Sequence, residues 1–384
     1  MNIKYFDNAA TTKVGEEVLN EMLPYLKEEF GNPSSMYTLG RNAKKAIEIA
    51  RQKVAQLINC DTKEIYFTSS GSESDNTAIK GIAYKNSYKG KHIITSKIEH
   101  PAVLNTCHRL EKDGFFVTYL DVDKDGIINL EQLIKSIRYD TILITIMSAN
   151  NEIGTIEPID KISKIARMYN IIFHTDAVQA CGNIPIDVKK MGIDMLSLSG
   201  HKLHAPKGIG ALYVKNGIEF IKFIDGGHQE RDKRASTENV PGIVGLGKAC
   251  ELARKRLNTH IEYLTSLREY YISEVNKKID RVKLNGSHEK RLPGNVNFSF
   301  ENIEGQSLLL NLDEKGICAS SGSACSTGMP NPSHVLKAIG LSDDLASGTL
   351  RVSFGDENTK EDIDYLVKSL KDSVNKLRNI NSLE

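Results

Sequence analysis

Four short segments of this chain carry residue types that could do chemistry together. The first is Thr68-Ser69-Ser70-Gly71-Ser72-Glu73-Ser74-Asp75-Asn76, between a strand-like run and a helix-like one. Backbone N–H groups at a helix N-terminus, beside small hydroxyl side chains, suit a phosphate. Helix capping by Ser and Asp accounts for the same residues. The second is Phe173-His174-Thr175-Asp176-Ala177-Val178-Gln179, where a carboxylate ends an apolar strand. Such a carboxylate is costly unless paired. A protonated ring nitrogen of a cofactor would pair with it, and helix capping by Asp176 is the alternative. The third is Leu198-Ser199-Gly200-His201-Lys202, where the lysine could form a Schiff base. His201 and His204 are spaced i, i+3, but no acidic or cysteine ligand nearby completes a metal site, and none is expected. The fourth is Ser320-Ser321-Gly322-Ser323-Ala324-Cys325-Ser326-Thr327-Gly328. Glycines and small polar residues predict a mobile, exposed loop, where Cys325 could be a nucleophile. A tight turn with an incidental cysteine is the other reading.

Each feature alone is weak, and a strand-end lysine is usually a surface residue. Together, a phosphate cradle, an acid and a lysine that each follow a strand of one sheet are what a pyridoxal phosphate enzyme requires. The cradle anchors the phosphate, Asp176 keeps the pyridine nitrogen protonated, and Lys202 holds the aldehyde until an amino acid displaces it. The protonated ring is the electron sink that makes Cα deprotonation feasible.

The elements that must position these groups are legible as alternation. Runs 64–69, 92–95, 115–120, 141–147, 171–175, 195–199 and 209–214 read as buried strands, with helical spacing between them. Near-continuous apolar strands alternating with helices predict an α/β fold, its mostly parallel sheet covered on both faces. Active groups then belong at strand C-terminal ends. After about residue 245 a long amphipathic stretch reaches about residue 276. Short strands at 282–284, 295–300, 317–319 and 350–354 follow, then a charged helix over 359–377. This second pattern predicts a smaller α+β domain.

Composition narrows the class further. At 384 residues the chain allows two or three domains, and 40% hydrophobic with 26% charged residues is an ordinary globular balance. Fifty basic against 49 acidic residues leave a net charge of +1, which gives no drive toward nucleic acid or an anionic membrane. No apolar run is long enough to span a bilayer, and the N-terminus lacks a signal-like apolar stretch, so a cytoplasmic location is expected. Cys60, Cys107, Cys181, Cys250, Cys318 and Cys325 include no C-x-x-C pair, which argues against a disulfide framework or a zinc ribbon.

Over essentially its whole length the chain resembles the group I cysteine desulfurases of the class V aminotransferase superfamily, similar to the nitrogen-fixation and housekeeping iron–sulfur assembly enzymes. The markers are Tyr5-Phe6-Asp7-Asn8-Ala9-Ala10-Thr11-Thr12, Gly31-Asn32-Pro33-Ser34-Ser35, Glu99-His100-Pro101-Ala102-Val103 and Asn150-Asn151-Glu152-Ile153-Gly154. Asp176-Ala177-Val178-Gln179, Ser199-Gly200-His201-Lys202, Ser321-Gly322-Ser323-Ala324-Cys325 and Leu350-Arg351-Val352-Ser353 complete them. The resemblance implies fold type I: a large domain with a mostly parallel seven-stranded sheet over 15–250, a small α+β domain over 251–384 carrying the cysteine loop, and a segment 1–14 associated with the small domain. It implies that Lys202 anchors pyridoxal 5'-phosphate and Asp176 pairs with the pyridinium nitrogen. His100 would stack on the ring and assist proton transfer, with Asn151 and Gln179 near the ring hydroxyl. Gly71, Ser72, Ser199 and His201 would hold the phosphate. Thr237 would reach the phosphate of the other subunit's cofactor, implying a homodimer. Arg351 would clamp the substrate carboxylate, assisted by Asn32.

The implied reaction converts L-cysteine to L-alanine, with Cys325 taking the sulfur as a persulfide. An iron–sulfur scaffold protein or a tRNA-thiolation enzyme would receive it, with no direct contact to nucleic acid or membrane. Tyr37, Ser70-Gly71-Ser72, His204-Ala205 and Ser236, which stands where a glycine is usual, depart from the commonest pattern. Competing readings are another pyridoxal phosphate enzyme (an aminotransferase, a β-lyase or a selenocysteine lyase) and a catalytically silent protein that binds a sulfur-trafficking partner.

Overall fold

The apolar runs become strands, in a computed structural model that describes residues 3–321 and 332–381. The strands are β1 (Lys4–Tyr5), β2 (Ile65–Thr68), β3 (His92–Ser96), β4 (Phe116–Leu120), β5 (Thr141–Thr145) and β6 (Ile172–Asp176). They continue with β7 (Met195–Ser199), β8 (Gly210–Val214), β9 (Val282–Leu284), β10 (Asn295–Phe300), β11 (Ile317–Cys318) and β12 (Thr349–Ser353). The central sheet has seven strands in the order β2-β8-β7-β6-β5-β3-β4. Only β8 within it runs antiparallel to its neighbours; the other pairings are parallel.

Both faces are covered, as continuous apolar strands require. Phe173, Leu196 and Leu198 pack with helices Thr38–Ile58 and Ile159–Met168. Ile93, Leu143 and Met195 point the other way, against helices Gly71–Lys85 and Pro101–Lys112. A three-stranded antiparallel sheet, β12-β10-β9, forms a second core with the C-terminal helix Lys360–Asn381. The helix Val240–Lys278 enters both cores. Val244 and Leu246 join the first, and Leu267 and Tyr271 join the second. It begins earlier than its amphipathic pattern, because Asn239 caps it by accepting from Gly242 N at 3.1 Å and a proline sits in its first turn.

The N-terminal segment serves both parts. β1 pairs in parallel with β11, and Ser353 N donates to Phe6 O at 2.7 Å. The chain then crosses to the large sheet, where Thr12 N donates to His201 O at 2.9 Å.

One stretch is bent against the usual preference of L-residues. Glu230, Arg231, Asp232 and Ser236 all have positive φ, Ser236 at 99°. A buried bidentate pair secures its start, with Arg51 donating to Glu230 at 2.7 and 2.8 Å. Ser236 holds a backbone that glycine adopts freely. Ser236→Gly should therefore raise stability by about 1 kcal/mol in urea unfolding; a destabilised variant would show that the serine side chain compensates for its backbone.

Candidate active site

The candidate residues arrive from loops at strand ends. After β2, Ser70 is extended and its hydroxyl accepts from Glu73 N at 3.1 Å, so the capping reading of this segment holds. Capping leaves room for a second role one residue on. A Cβ at Gly71 would lie 2.7 Å from Val178 Cγ2 and 3.3 Å from Ser199 Cβ, so a bare backbone is what lets these three segments meet. Gly71, Ser72, Ser199 and His201 line one wall of a cavity of about 210 Å³. Burial, and then Lys202 and Lys207, push the His201 imidazole down to about 4, so it is neutral near pH 7.

β6 delivers Asp176 to the same cavity. Its carboxylate accepts from Val178 N at 2.9 Å. Burial raises its pKa, while His100, that N–H and Lys202 oppose the rise. Asp75, from the helix after the cradle, is fully buried beside it, and burial and then Asp176 hold its carboxyl well above the ordinary range. Asp75, His100 and Asp176 bring ligand atoms within 4.8 Å of one another. Asp75 Oδ1 has no hydrogen-bond partner among the described residues. Two buried carboxyls in this position accept one cationic N–H far more readily than a second negative charge.

The remaining groups close the cavity. His100 caps helix Pro101–Lys112, its Nδ1 accepting from Ala102 N at 3.1 Å, so a neutral ring carries its proton on Nε2. Lys202 follows β7, and its Nζ donates to Ala9 O at 2.5 Å and Ala10 O at 2.6 Å. Gln179 Nε2 shares the Ala9 carbonyl at 3.0 Å. Arg351, on β12, is 1% exposed. It donates to Asp7 Oδ1 at 2.8 Å and to the Asn151 carbonyl at 3.2 Å, and its Nε has no partner among the described residues.

The cavity thus gathers ten sequence candidates: Gly71, Ser72, His100, Asn151, Asp176, Gln179, Ser199, His201, Lys202 and Arg351. Asn32 is exposed, its Oδ1 accepting from Ser34 N at 2.9 Å, and does not line it. Thr237 is exposed and also stands outside it. Cys325 lies outside the described residues, a few positions after Ser320, whose N donates to Arg351 O at 3.1 Å. Sequence reasoning assigned no role to Asp75, Asp7 or the Ala9 and Ala10 carbonyls, although all lie within motifs it had singled out.

Residues 4–366 match the class-V aminotransferase family, and the chain belongs to that family. Its full-length relatives are narrower in kind. It is 54% identical over 376 residues to a Dictyoglomus turgidum protein named cysteine desulfurase IscS, covering 98% of this chain and 95% of that one. A Methanosarcina thermophila protein of the same name is 55% identical over 379 residues, covering 99% and 94%. Among solved structures, a NifS-like protein matches with a TM-score of 0.92 at 38% identity, covering 97% of this chain and 100% of that one. Another, described as SspA in complex with cysteine, matches at 0.82 and 42%, covering 91% and 98%.

The family's cofactor is pyridoxal 5'-phosphate, and the cavity fits it. A glycine-opened helix N-terminus suits the phosphate, the orphaned Asp75 oxygen lies behind an acid suited to a pyridinium N–H, and Lys202 can anchor the aldehyde. Gly71→Ala should weaken cofactor binding roughly ten-fold or more, since its methyl overlaps Val178. Fluorescence titration of the apoprotein checks this, and unchanged affinity would place the phosphate elsewhere.

Proposed function

We propose that this chain is a cysteine desulfurase, converting L-cysteine to L-alanine and passing the sulfur to Cys325 as a persulfide. The observation that carries the reading is one cavity where a lysine, a buried carboxylate and a buried arginine meet, in a chain whose full-length relatives bear that name. When bound, pyridoxal phosphate supplies the electron sink for a carbanion at the substrate Cα.

The chain's own groups do the rest. Ser72, Ser199, His201 and the Gly71 backbone would hold the phosphate, and Asp176 would keep the ring nitrogen protonated. Lys202 Nζ would hold the cofactor's aldehyde and would serve as a base for the substrate Cα proton. His100 would cover the ring and offer Nε2 as a second proton carrier, and Asn151 and Gln179 would lie near the ring hydroxyl. Arg351 binds the substrate carboxylate, for which its guanidinium fork is suited, and Asp7 holds that fork in place. The Cys325 thiolate attacks the substrate sulfur. A sulfur–sulfur bond forms, the carbon–sulfur bond breaks toward carbon, and protonation of the carbon fragment yields alanine.

In this reading Thr237, exposed on its own protomer, reaches the cofactor phosphate of a second copy, so the working unit is a homodimer. Asn32, equally exposed, assists at the substrate carboxylate. Residues 1–14 are associated with the small domain over 251–384 through β1, and residues 9–12 of the same segment reach the large domain over 15–250. The persulfide goes on to an iron–sulfur scaffold or a tRNA-thiolation enzyme. No helix among the described residues is long and apolar enough to cross a membrane. The five described cysteines are all free thiols, as suits a reducing cytoplasm.

Purified protein given L-cysteine and a reductant should release alanine and sulfide in equal amounts. Pyruvate with ammonia would instead identify a β-lyase, and a keto acid an aminotransferase. Cys325→Ser should keep the cofactor and lose sulfur transfer by at least about a hundred-fold; wild-type sulfide release from it would remove the thiol from the mechanism. Lys202→Ala should lose the absorption of the lysine-bound cofactor, and its persistence would point to another anchor.

A further inference from the structure

His260 sits on helix Val240–Lys278 between the stretches that enter the two cores. Its ring meets one acceptor from each side. Nδ1 lies 2.6 Å from Asp356 Oδ1, just beyond β12, and Nε2 lies 3.1 Å from Asn183 Oδ1, beyond β6. The amide of Asn183 cannot be turned round without loss, because its Nδ2 donates to Gln179 O at 3.0 Å. A carboxylate oxygen and an amide oxygen both accept, so both ring nitrogens must donate. A neutral imidazole has one N–H and satisfies only one of them.

The charges around the ring permit a cation. Asp356 and Glu357, from the segment after β12, and Glu17, from helix Glu16–Lys27, line the same cavity as His260. Arg256, one turn earlier on its own helix, is occupied by Glu17 at 2.6 Å. Lys13 lies 3.4 Å from Glu357. His204 lines the same interdomain cavity, with Nδ1 3.0 Å from Lys13 O. The hydrogen bond from His260 is the largest influence holding the Asp356 carboxyl below its usual range.

The two acceptors lead to opposite halves of the active site. Asn183 bonds Gln179, and Gln179 Nε2 bonds the Ala9 carbonyl that also receives Lys202 Nζ. Asp356 closely follows Ser353, whose hydroxyl accepts from Ala9 N at 2.8 Å and whose strand carries Arg351.

We propose that His260, protonated on both ring nitrogens, is a positioning residue that ties the Arg351 strand to the Asn183–Gln179 turn and so sets the spacing between Arg351 and Lys202. The proposal rests on the reading of Arg351 as the carboxylate clamp, and its test separates the two. Full-length, cofactor-loaded protein with 15N-labelled histidine is recorded at neutral pH, with His260→Gln identifying the signal. Two protonated ring nitrogens are expected. A neutral-tautomer pattern would overturn the charged clamp whatever reaction the enzyme runs. In kinetics, His260→Gln and Asp356→Asn should each raise KM for L-cysteine roughly ten-fold with a smaller change in kcat, and the double variant should add little more. An unchanged KM, or fully additive losses, would overturn the positioning role. A wild-type protein that does not desulfurate cysteine would sink the functional reading instead and leave the NMR result to decide the clamp.

Discussion

A negative charge drawn out of water at the end of β6 has to find a positive partner, and the site is arranged about that requirement. Asp176 is buried next to a second carboxyl, Asp75, and two anions this close in a dry environment cannot both persist. Burial raises both carboxyls, and on Asp176 the neighbouring His100, the Val178 N–H and Lys202 oppose that rise. A cofactor with a cationic ring nitrogen meets the need directly. The parallel sheet matters because it alone brings the ends of β2, β6 and β7 to one edge, so that cradle, acid and lysine face one volume.

The N-terminal segment is the second organising element. Within a few residues it pairs with β11, presents Asp7 to Arg351, and turns the Ala9 and Ala10 carbonyls onto Lys202. Arg351 is among the most deeply buried side chains, and a guanidinium in that position is tolerable only with a carboxylate against it. Asp7 meets that condition and fixes the fork's direction. The same ion pair that makes the burial possible therefore aims Arg351, and both its partners are supplied from outside its own sheet.

Much of this was legible before any coordinates. Seven apolar runs became the seven strands with shifts of a residue or two, because strands covered on both faces cannot disguise their composition; β4, read as buried, lies instead at the sheet edge and leaves Phe116 exposed. The break near residue 245 marked the change to a second core, although the helix there starts earlier under the control of its Asn239 cap. Asp176 and Lys202 stood out because a charged residue ending an apolar run is expensive and so needs a reason. Asp75 did not, since in sequence it is one more polar residue in the first turns of a helix. Its meaning comes from facing Asp176 a hundred positions on.

The sequence by itself determined the chemistry on offer: a phosphate cradle, an acid, a lysine and a thiol, each in a local context of turn, strand end or small-residue loop. Those are properties of short segments, set by hydrogen-bonding capacity and apolar periodicity, and short segments carry them intact. Only the tertiary structure decided which groups meet. The pairing of Asp7 with Arg351, the shared Ala9 carbonyl, the coupling of Asp75 to Asp176 and the two-sided contact of His260 join residues far apart along the chain. Their energies depend on distance and lost water, which appear once the chain has closed into a dry interior.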